Sequence, residues 1–409
     1  MTKQKYFLLI LLLGSLTALG PFSIDMYLPG FPAIAKDLHT TVLKVSLSLT
    51  TYFIGISAGQ LLYGPLLDRF GRKKPLYIGL IVYILASAGC VFAKSLDALV
   101  ALRFLQAIGS CAAAVASIAM VRDLFPVKDS AKVFALLMLV VGVSPMVAPT
   151  IGGYVTVIMG WNAVFIILMG LGLFNLIASW LWLPDSHQPD TSISLKPLPI
   201  LQNFFSVLRV PQFYTYAFAG AMSFSGLFAY ISGSPLVFID LYQVKEETYG
   251  WIFALLSVGL IGSSQVNSFM LRRYKSEQLV FAAMIMQTII TLIFLTGSIY
   301  GWFGLNATVV LLFLFLCCLG FTNPNTSALS LAPFSKNAGS ASALMGAVQM
   351  GLGALASFGV SMFELKSPVP MVSIMTGTTI AALLILSVGR RKIKDKVEVV
   401  AGEAAAVIH

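Results

Sequence analysis

What this 409-residue sequence has least of is charge. Only 10% of its residues are Asp, Glu, Lys or Arg, against 58% apolar residues and a mean hydropathy of +0.90. A water-soluble domain carries about 25% charged residues, so a soluble fold is excluded and the bilayer is the solvent to reason with. Cysteine and histidine are also scarce. Cys90, Cys111, Cys317 and Cys318 fall inside apolar runs, where a thiol behaves as a small hydrophobe, and His39, His187 and His409 lie in loops or at the terminus. Neither set has the spacing of a metal site or a His-based catalytic pair, so no metal and no cofactor are expected. Long polar insertions are missing too. The longest polar connection is 184–210, which leaves no room for an appended enzymatic or receptor domain.

What the sequence does have is apolar runs. Twelve of them, near 6–32, 43–66, 75–93, 98–121, 132–157, 161–183, 211–237, 248–270, 278–300, 304–331, 339–363 and 369–389, are long enough to cross about 30 Å of hydrocarbon at about 1.5 Å per residue. We number them spans 1 to 12. The first follows Lys3 and Lys5 as a signal peptide would. It continues through Pro21, Asp25 and Pro29 without a small-residue cleavage site, so it reads as a retained helix.

The net charge of +10 does not point to nucleic acid, because the basic residues sit in short clusters between spans. With an even number of crossings, 20 of the 26 Lys and Arg fall on one side. The other side holds Lys36, Lys44, Lys94, Lys245 and Lys366, and Arg103 remains inside the membrane. This bias predicts that both termini are cytoplasmic and that the basic loops meet anionic lipid headgroups.

The prolines and Asp185 and Asp190 of 184–210 mark a cytoplasmic linker between a six-helix half at 1–183 and a second at 211–390, with a cytoplasmic tail at 391–409. An offset of about 203 residues lays Tyr27, Gly30 and Pro32 of span 1 on Tyr230, Gly233 and Pro235 of span 7. Six plus six helices with faint half-to-half similarity are expected of transporters whose halves rock about a midplane site.

Between spans 2 and 3 lies Gly64-Pro-Leu-Leu-Asp68-Arg69-Phe-Gly71-Arg72-Lys73-Lys74. Its glycines allow close backbone approach and a tight turn, and Asp68 can accept from a base or a helix N-terminus. The segment reads as a cytoplasmic latch, with Arg122 and Asp123 at the end of span 4 as its partner and Asp68 expected to pair with Arg122 or an equivalent base. A plain topology loop would carry the same charges.

Asp25 in span 1 is the one acidic residue clearly inside a membrane run, and Arg103 is placed among apolar residues of span 4 with Gln106 and Gly109 following it. Each lies roughly 11 Å from the outer end of its span, so the two side chains are expected to meet or compete around one cavity. Burial penalises an ionised carboxyl and a neighbouring guanidinium favours it. A conformational change that shifts the balance would load and unload a proton at Asp25; the plainer alternative is a structural pair.

In span 5, Gly142, Pro145, Pro149 and Gly153 recur every three or four residues with Gly152 beside the last. They line one helical face, where small residues permit tight helix contact and prolines kink the span.

These motifs together resemble the major facilitator superfamily, and within it the bicyclomycin-resistance type of drug and proton antiporters. The resemblance extends from about residue 15 to 390, counting Ser23 to Pro29, Gly59 to Pro65 and Ser223 to Tyr230. In span 5 the pattern departs at Ala148, where glycine is usual. The resemblance implies an all-α membrane protein of 12 helices in two pseudo-repeated halves, acting in the bacterial inner membrane as a monomeric, proton-driven exporter of small amphipathic compounds such as drugs. Asp25 would be the coupling carboxyl, and Arg103 and Gln106 the membrane-embedded basic motif. A proton-coupled importer, or an exporter of one physiological metabolite, is the alternative. For the cargo pocket we expect inward faces bearing Tyr52, Phe53, Phe224, Phe228, Tyr230 and Asn323, since few polar anchors suit loosely specified ligands.

Overall fold

The computed structural model describes residues 3–125, 127–186, 188–190, 197–334, 338–363, 367–393 and 397. Most of the 391–409 tail lies outside the described residues, as do His187 and His409. All regular structure among the described residues is helical, as a chain without water to satisfy open sheet edges requires. Among the described residues, twelve helices are long and apolar enough to span a membrane: Tyr6–Asp37, Val42–Phe70, Lys73–Val91, Leu96–Leu124, Leu139–Met159, Trp161–Trp182, Pro211–Leu241, Glu246–Met270, Ser276–Ile299, Leu305–Leu331, Gly339–Ser361 and Val369–Lys392. They are spans 1 to 12 in the expected order.

Their ends follow local chemistry. Thr41 and Ser95 cap spans 2 and 4, their hydroxyls accepting from the Lys44 and Ala98 amides at 3.3 and 3.2 Å. Gly71, Gly160 and Gly301 take φ of +80°, +83° and +70° at the turns, a region closed to most side chains. Outward faces carry exposed apolar side chains such as Ile78, Leu85, Trp180 and Leu255, the surface that lipid covers.

Within the first half, span 4 packs against spans 2 and 3; within the second, span 7 packs against spans 11 and 12. The halves meet along two seams, span 2 on span 11 and span 5 on span 8. A hydrogen bond crosses the first seam: the Thr50 and Ser357 hydroxyls are 2.7 Å apart, and within the second half Ser357 Oγ donates onward to Ser232 Oγ of span 7 at 3.0 Å. Glycine carries the second. A Cβ on Gly250 of span 8 would lie 2.6 Å from the Thr150 Cα, and one on Gly153 would lie 2.6 Å from the Glu246 carbonyl oxygen. Gly142 also faces span 8, at Ile261, so the span 5 face of small residues is spent on contact between halves.

The opening span of each half departs from α-helix, but not at matching residues. Span 1 is α-helical from Lys3 to Asp25, passes through a 3-10 turn at Leu28–Gly30 and resumes at Phe31–Asp37. Pro29 has no N–H and its ring would strike the Asp25 carbonyl four residues back, so the ladder stops there. Span 7 stays α-helical through Pro235 and then widens into a π-helix at Leu236–Leu241. The Ile231 carbonyl that Pro235 cannot serve accepts from Ser234 Oγ at 3.1 Å.

Candidate functional site

Asp25 is the last α-helical residue before the break in span 1 and is 4% exposed. Among the described residues its carboxyl makes no ion pair within 4.0 Å and no hydrogen bond. The 3-10 turn that follows it meets span 8 of the opposite half, which carries the fully buried Tyr249, and Tyr230 of span 7 is fully buried as well. Tyr249 exchanges a 2.7 Å hydrogen bond with Ser234, whereas the Tyr230 hydroxyl has no hydrogen-bond partner.

Arg103 is 0% exposed and is turned elsewhere, which corrects the expectation that the two charges meet. Its Nη2 donates to the Ser23 carbonyl at 2.8 Å and its Nη1 to Gln106 Oε1 at 2.5 Å. The guanidinium lies between the rings of Tyr27 and Tyr52, 4.2 and 4.1 Å from their centroids, a cation–π cage that neutral side chains alone supply. Gln106 passes the network on, its Nε2 donating to Ser87 Oγ at 2.7 Å. Tyr27 and Tyr52 are themselves held by Ser48 and Ser110 at 3.2 and 2.8 Å. Gly109 completes the motif by admitting span 3: a Cβ there would sit 2.6 Å from the Gly79 carbonyl oxygen.

The break at Pro29 explains this arrangement. In an unbroken helix the Tyr27 amide would occupy the Ser23 carbonyl. Here the last α-type bond is Met26 to Phe22, at 3.1 Å, which leaves the Ser23 carbonyl to Arg103. Ser23 and Tyr27 are therefore working parts of the site that the residue types did not reveal. The signal was the Asp25-to-Pro29 spacing, which marks the exact carbonyls set free.

At the basic end, Gly71 turns the chain so that Arg72 folds back over span 2. Arg72 is hydrogen-bonded to Asp68 and reaches Asp123 Oδ2 from Nε at 2.8 Å. The base that Asp68 meets is thus Arg72 and not Arg122, because the reversal at Gly71 brings the nearer arginine into reach. Burial opposes the charge on Arg72, but the Asp123 and Asp68 hydrogen bonds outweigh it and raise its pKa above the ordinary range. The linker joins the cluster: Ser186 Oγ donates to Asp123 Oδ2 at 3.2 Å, the Asp190 amide to the Asp68 carbonyl at 3.3 Å, and Lys73 Nζ lies 3.3 Å from Asp185. Lys73 and the glycines Gly64 and Gly71 do not act alike: a Cβ on Gly64 would meet nothing within 4 Å, so close approach is not its role. Arg69 lies with its guanidinium 5.9 Å from the Phe70 ring.

The six residues expected around cargo do not share one cavity in this conformation. Tyr52 belongs to the Arg103 cage. Phe53 and Phe228 meet across the halves with ring centroids 4.3 Å apart, Phe224 packs on Phe228 at 5.4 Å, and Tyr230 stacks on Phe253 at 5.5 Å. Asn323 lines a small cleft beside Tyr216 and Gly220, where its Oδ1 accepts from Gln349 Nε2 at 3.0 Å. Aromatic side chains that meet across a seam fill it when the halves are closed, which a list of residue types cannot foresee.

A chain of twelve spans in two halves with a broken first span and buried midplane charges has the architecture of a secondary transporter. The family model described as Major Facilitator Superfamily matches residues 13–357. The chain is 35% identical over 390 residues to a protein named Uncharacterized MFS-type transporter YdgK of Bacillus subtilis, covering 94% of this chain and 95% of that one. It is 33% identical over 395 residues to the Bicyclomycin resistance protein homolog of Haemophilus influenzae, covering 94% and 96%. Among solved structures it resembles a D-xylose-proton symporter, with a TM-score of 0.70, 15% identity and coverage of 93% and 97%. The chain belongs to the Major Facilitator Superfamily, within its bicyclomycin-resistance type. It is a multi-pass membrane transporter and not an enzyme.

Proposed function

We propose that this protein exports small amphipathic compounds, drugs among them, in exchange for protons that enter through Asp25. The observation that carries the reading is the position of Asp25: buried at the break of span 1, without an ion pair among the described residues, just before the 3-10 turn that meets span 8 of the other half. An ionised carboxylate without a counter-charge costs several kcal/mol to bury. The closed contact of the break with span 8 therefore tolerates a neutral carboxyl and resists a charged one, so proton loss favours separation of the halves at this point. Cargo binding that separates them would in turn expel the proton.

The relatives support the cargo class. Besides the bicyclomycin-resistance homolog, a Chloramphenicol resistance protein of Pseudomonas aeruginosa is 32% identical over 258 residues, 62% of this chain and 59% of its own length. We place the protein in the bacterial inner membrane as a monomer with both termini cytoplasmic, on the bias of its basic loops. The proton gradient is its energy source, and it has no need of a cofactor.

The deciding experiment uses the purified full chain in weakly buffered detergent with chloramphenicol and bicyclomycin as probes. Wild type should release protons on binding, and Asp25→Asn should bind without release. Binding with proton uptake would indicate symport and overturn the reading. A toxicity panel in a host lacking its own pumps, comparing wild type with Asp25→Asn, then defines the cargo.

A further inference from the structure

The connection between the halves, polar by composition at its start, contains a helix at Pro197–Leu208, and that helix carries two adjoining apolar stripes. Phe204, Val207 and Leu208 turn inward. Val207 is fully buried, and the others pack with it against Phe213 of span 7 and Leu344 of span 11. Asn203, on the same side, donates from Nδ2 to Ser340 Oγ at 2.8 Å. Leu198, Leu201 and Phe205 recur at helical spacing on the adjoining flank of the helix and are 66%, 49% and 60% exposed. An apolar stripe of that width, held outward by a buried one, needs an occupant.

We propose that this helix lies in the headgroup region of the leaflet on the basic side, with Leu198, Leu201 and Phe205 among the acyl chains of anionic lipid. Two observations select lipid. The first is continuity. The helix ends at Leu208, and Pro211 begins span 7, so the stripe starts at the level where the lipid-covered belt of the spans ends. The second is charge. Lys196 precedes the helix, an exposed Arg209 follows it on the same side as Leu198, Leu201 and Phe205, and no acidic residue occurs from 191 to 239. A basic residue at the margin of an apolar stripe reaches up to headgroup phosphates. Two copies of this chain docked through the same stripe would instead bring their Arg209 side chains together.

The Asn203 bond and the Val207 contacts fasten the helix to spans 7 and 11. A lipid-held helix therefore ties the second half to the membrane surface while the first half rocks against it. The anionic fraction of the leaflet then becomes a regulator of transport that acts away from the cargo path.

The test places a nitroxide on the full-length protein at Leu201→Cys, at Phe205→Cys and, as a polar-side reference, at Ser206→Cys. The protein is reconstituted in phosphatidylcholine nanodiscs with and without phosphatidylglycerol, and the spectrum of identically treated wild type is subtracted for native cysteines. Labels at 201 and 205 should be relaxed by oxygen and protected from a nickel chelate, more so with phosphatidylglycerol, while the label at 206 stays open to nickel. Equal nickel access at all three sites would overturn the proposal. Dipolar broadening between copies at 201 or 205 would also overturn it and assign the stripe to self-association. The double variant Leu201→Asn/Phe205→Asn should keep the thermal stability of wild type and lose stimulation of chloramphenicol transport by phosphatidylglycerol. Undiminished stimulation would remove the regulatory half of the proposal.

Discussion

The guanidinium of Arg103 donates to the backbone carbonyl of Ser23 at 2.8 Å and leaves the buried carboxyl of Asp25, two residues further along the same span, without an ion pair among the described residues. Arg103 thereby holds the break that Pro29 sets in span 1. A fork of donors between two rings can do this; a single ammonium point charge cannot hold both the carbonyl and Gln106 in the same plane. Arg103→Lys should lose one charge-assisted hydrogen bond of about 1.5–3 kcal/mol. That corresponds to at least about a tenfold fall in transport, measured in proteoliposomes, with a lower melting temperature. Wild-type transport by the lysine variant would show that Arg103 does not hold the break.

The seam between spans 2 and 11 closes through Thr50 and Ser357, whose hydroxyls are 2.7 Å apart. Cysteines at these two positions should cross-link under oxidation and stop transport, and a reductant should restore it. Continued turnover of the cross-linked protein would mean that this seam need not open.

Gly250 leaves no space for a side chain against Thr150 of span 5, while nothing lies within 4 Å of a Cβ on Gly262 of the same helix. Gly250→Ala should cost about 1–3 kcal/mol by overpacking and lower the melting temperature. Gly262→Ala should be neutral or slightly stabilising. Equal melting temperatures would indicate that the halves adjust freely at span 8.

Arg72 contributes to the latch through two unequal acids, since the Asp68 side chain is 48% exposed and that of Asp123 is 16% exposed. Asp123→Asn should therefore destabilise more than Asp68→Asn, by about 1–3 kcal/mol against less than about 1. The reverse order in chemical denaturation would reassign the latch to the Asp68 side.

The Arg72 pKa is raised in the folded protein, so the stability it contributes is complete below the ordinary arginine value and is lost only as pH climbs through the folded one. The difference in melting temperature between wild type and Asp123→Asn should hold constant between about pH 7 and 9. A steep change in that window would identify a second titrating group in the latch.

The sequence by itself determined the twelve spans, their two-half organisation and the family, because lipid admits only long apolar helices whose backbone groups are satisfied internally, and that demand is written in composition and run length. It also determined that Asp25 and Arg103 are buried, since each sits alone in an apolar run. What it could not decide was pairing. Depth along a helix is legible from counting, but direction around it depends on where the ladder breaks and on which neighbour fills the gap. Only the tertiary structure placed Arg103 on the carbonyl freed by Pro29, set Tyr52 over that guanidinium, and chose Arg72 over Arg122 for Asp68. The linker helix was missed for the same reason: its two stripes have meaning only against the spans it packs on.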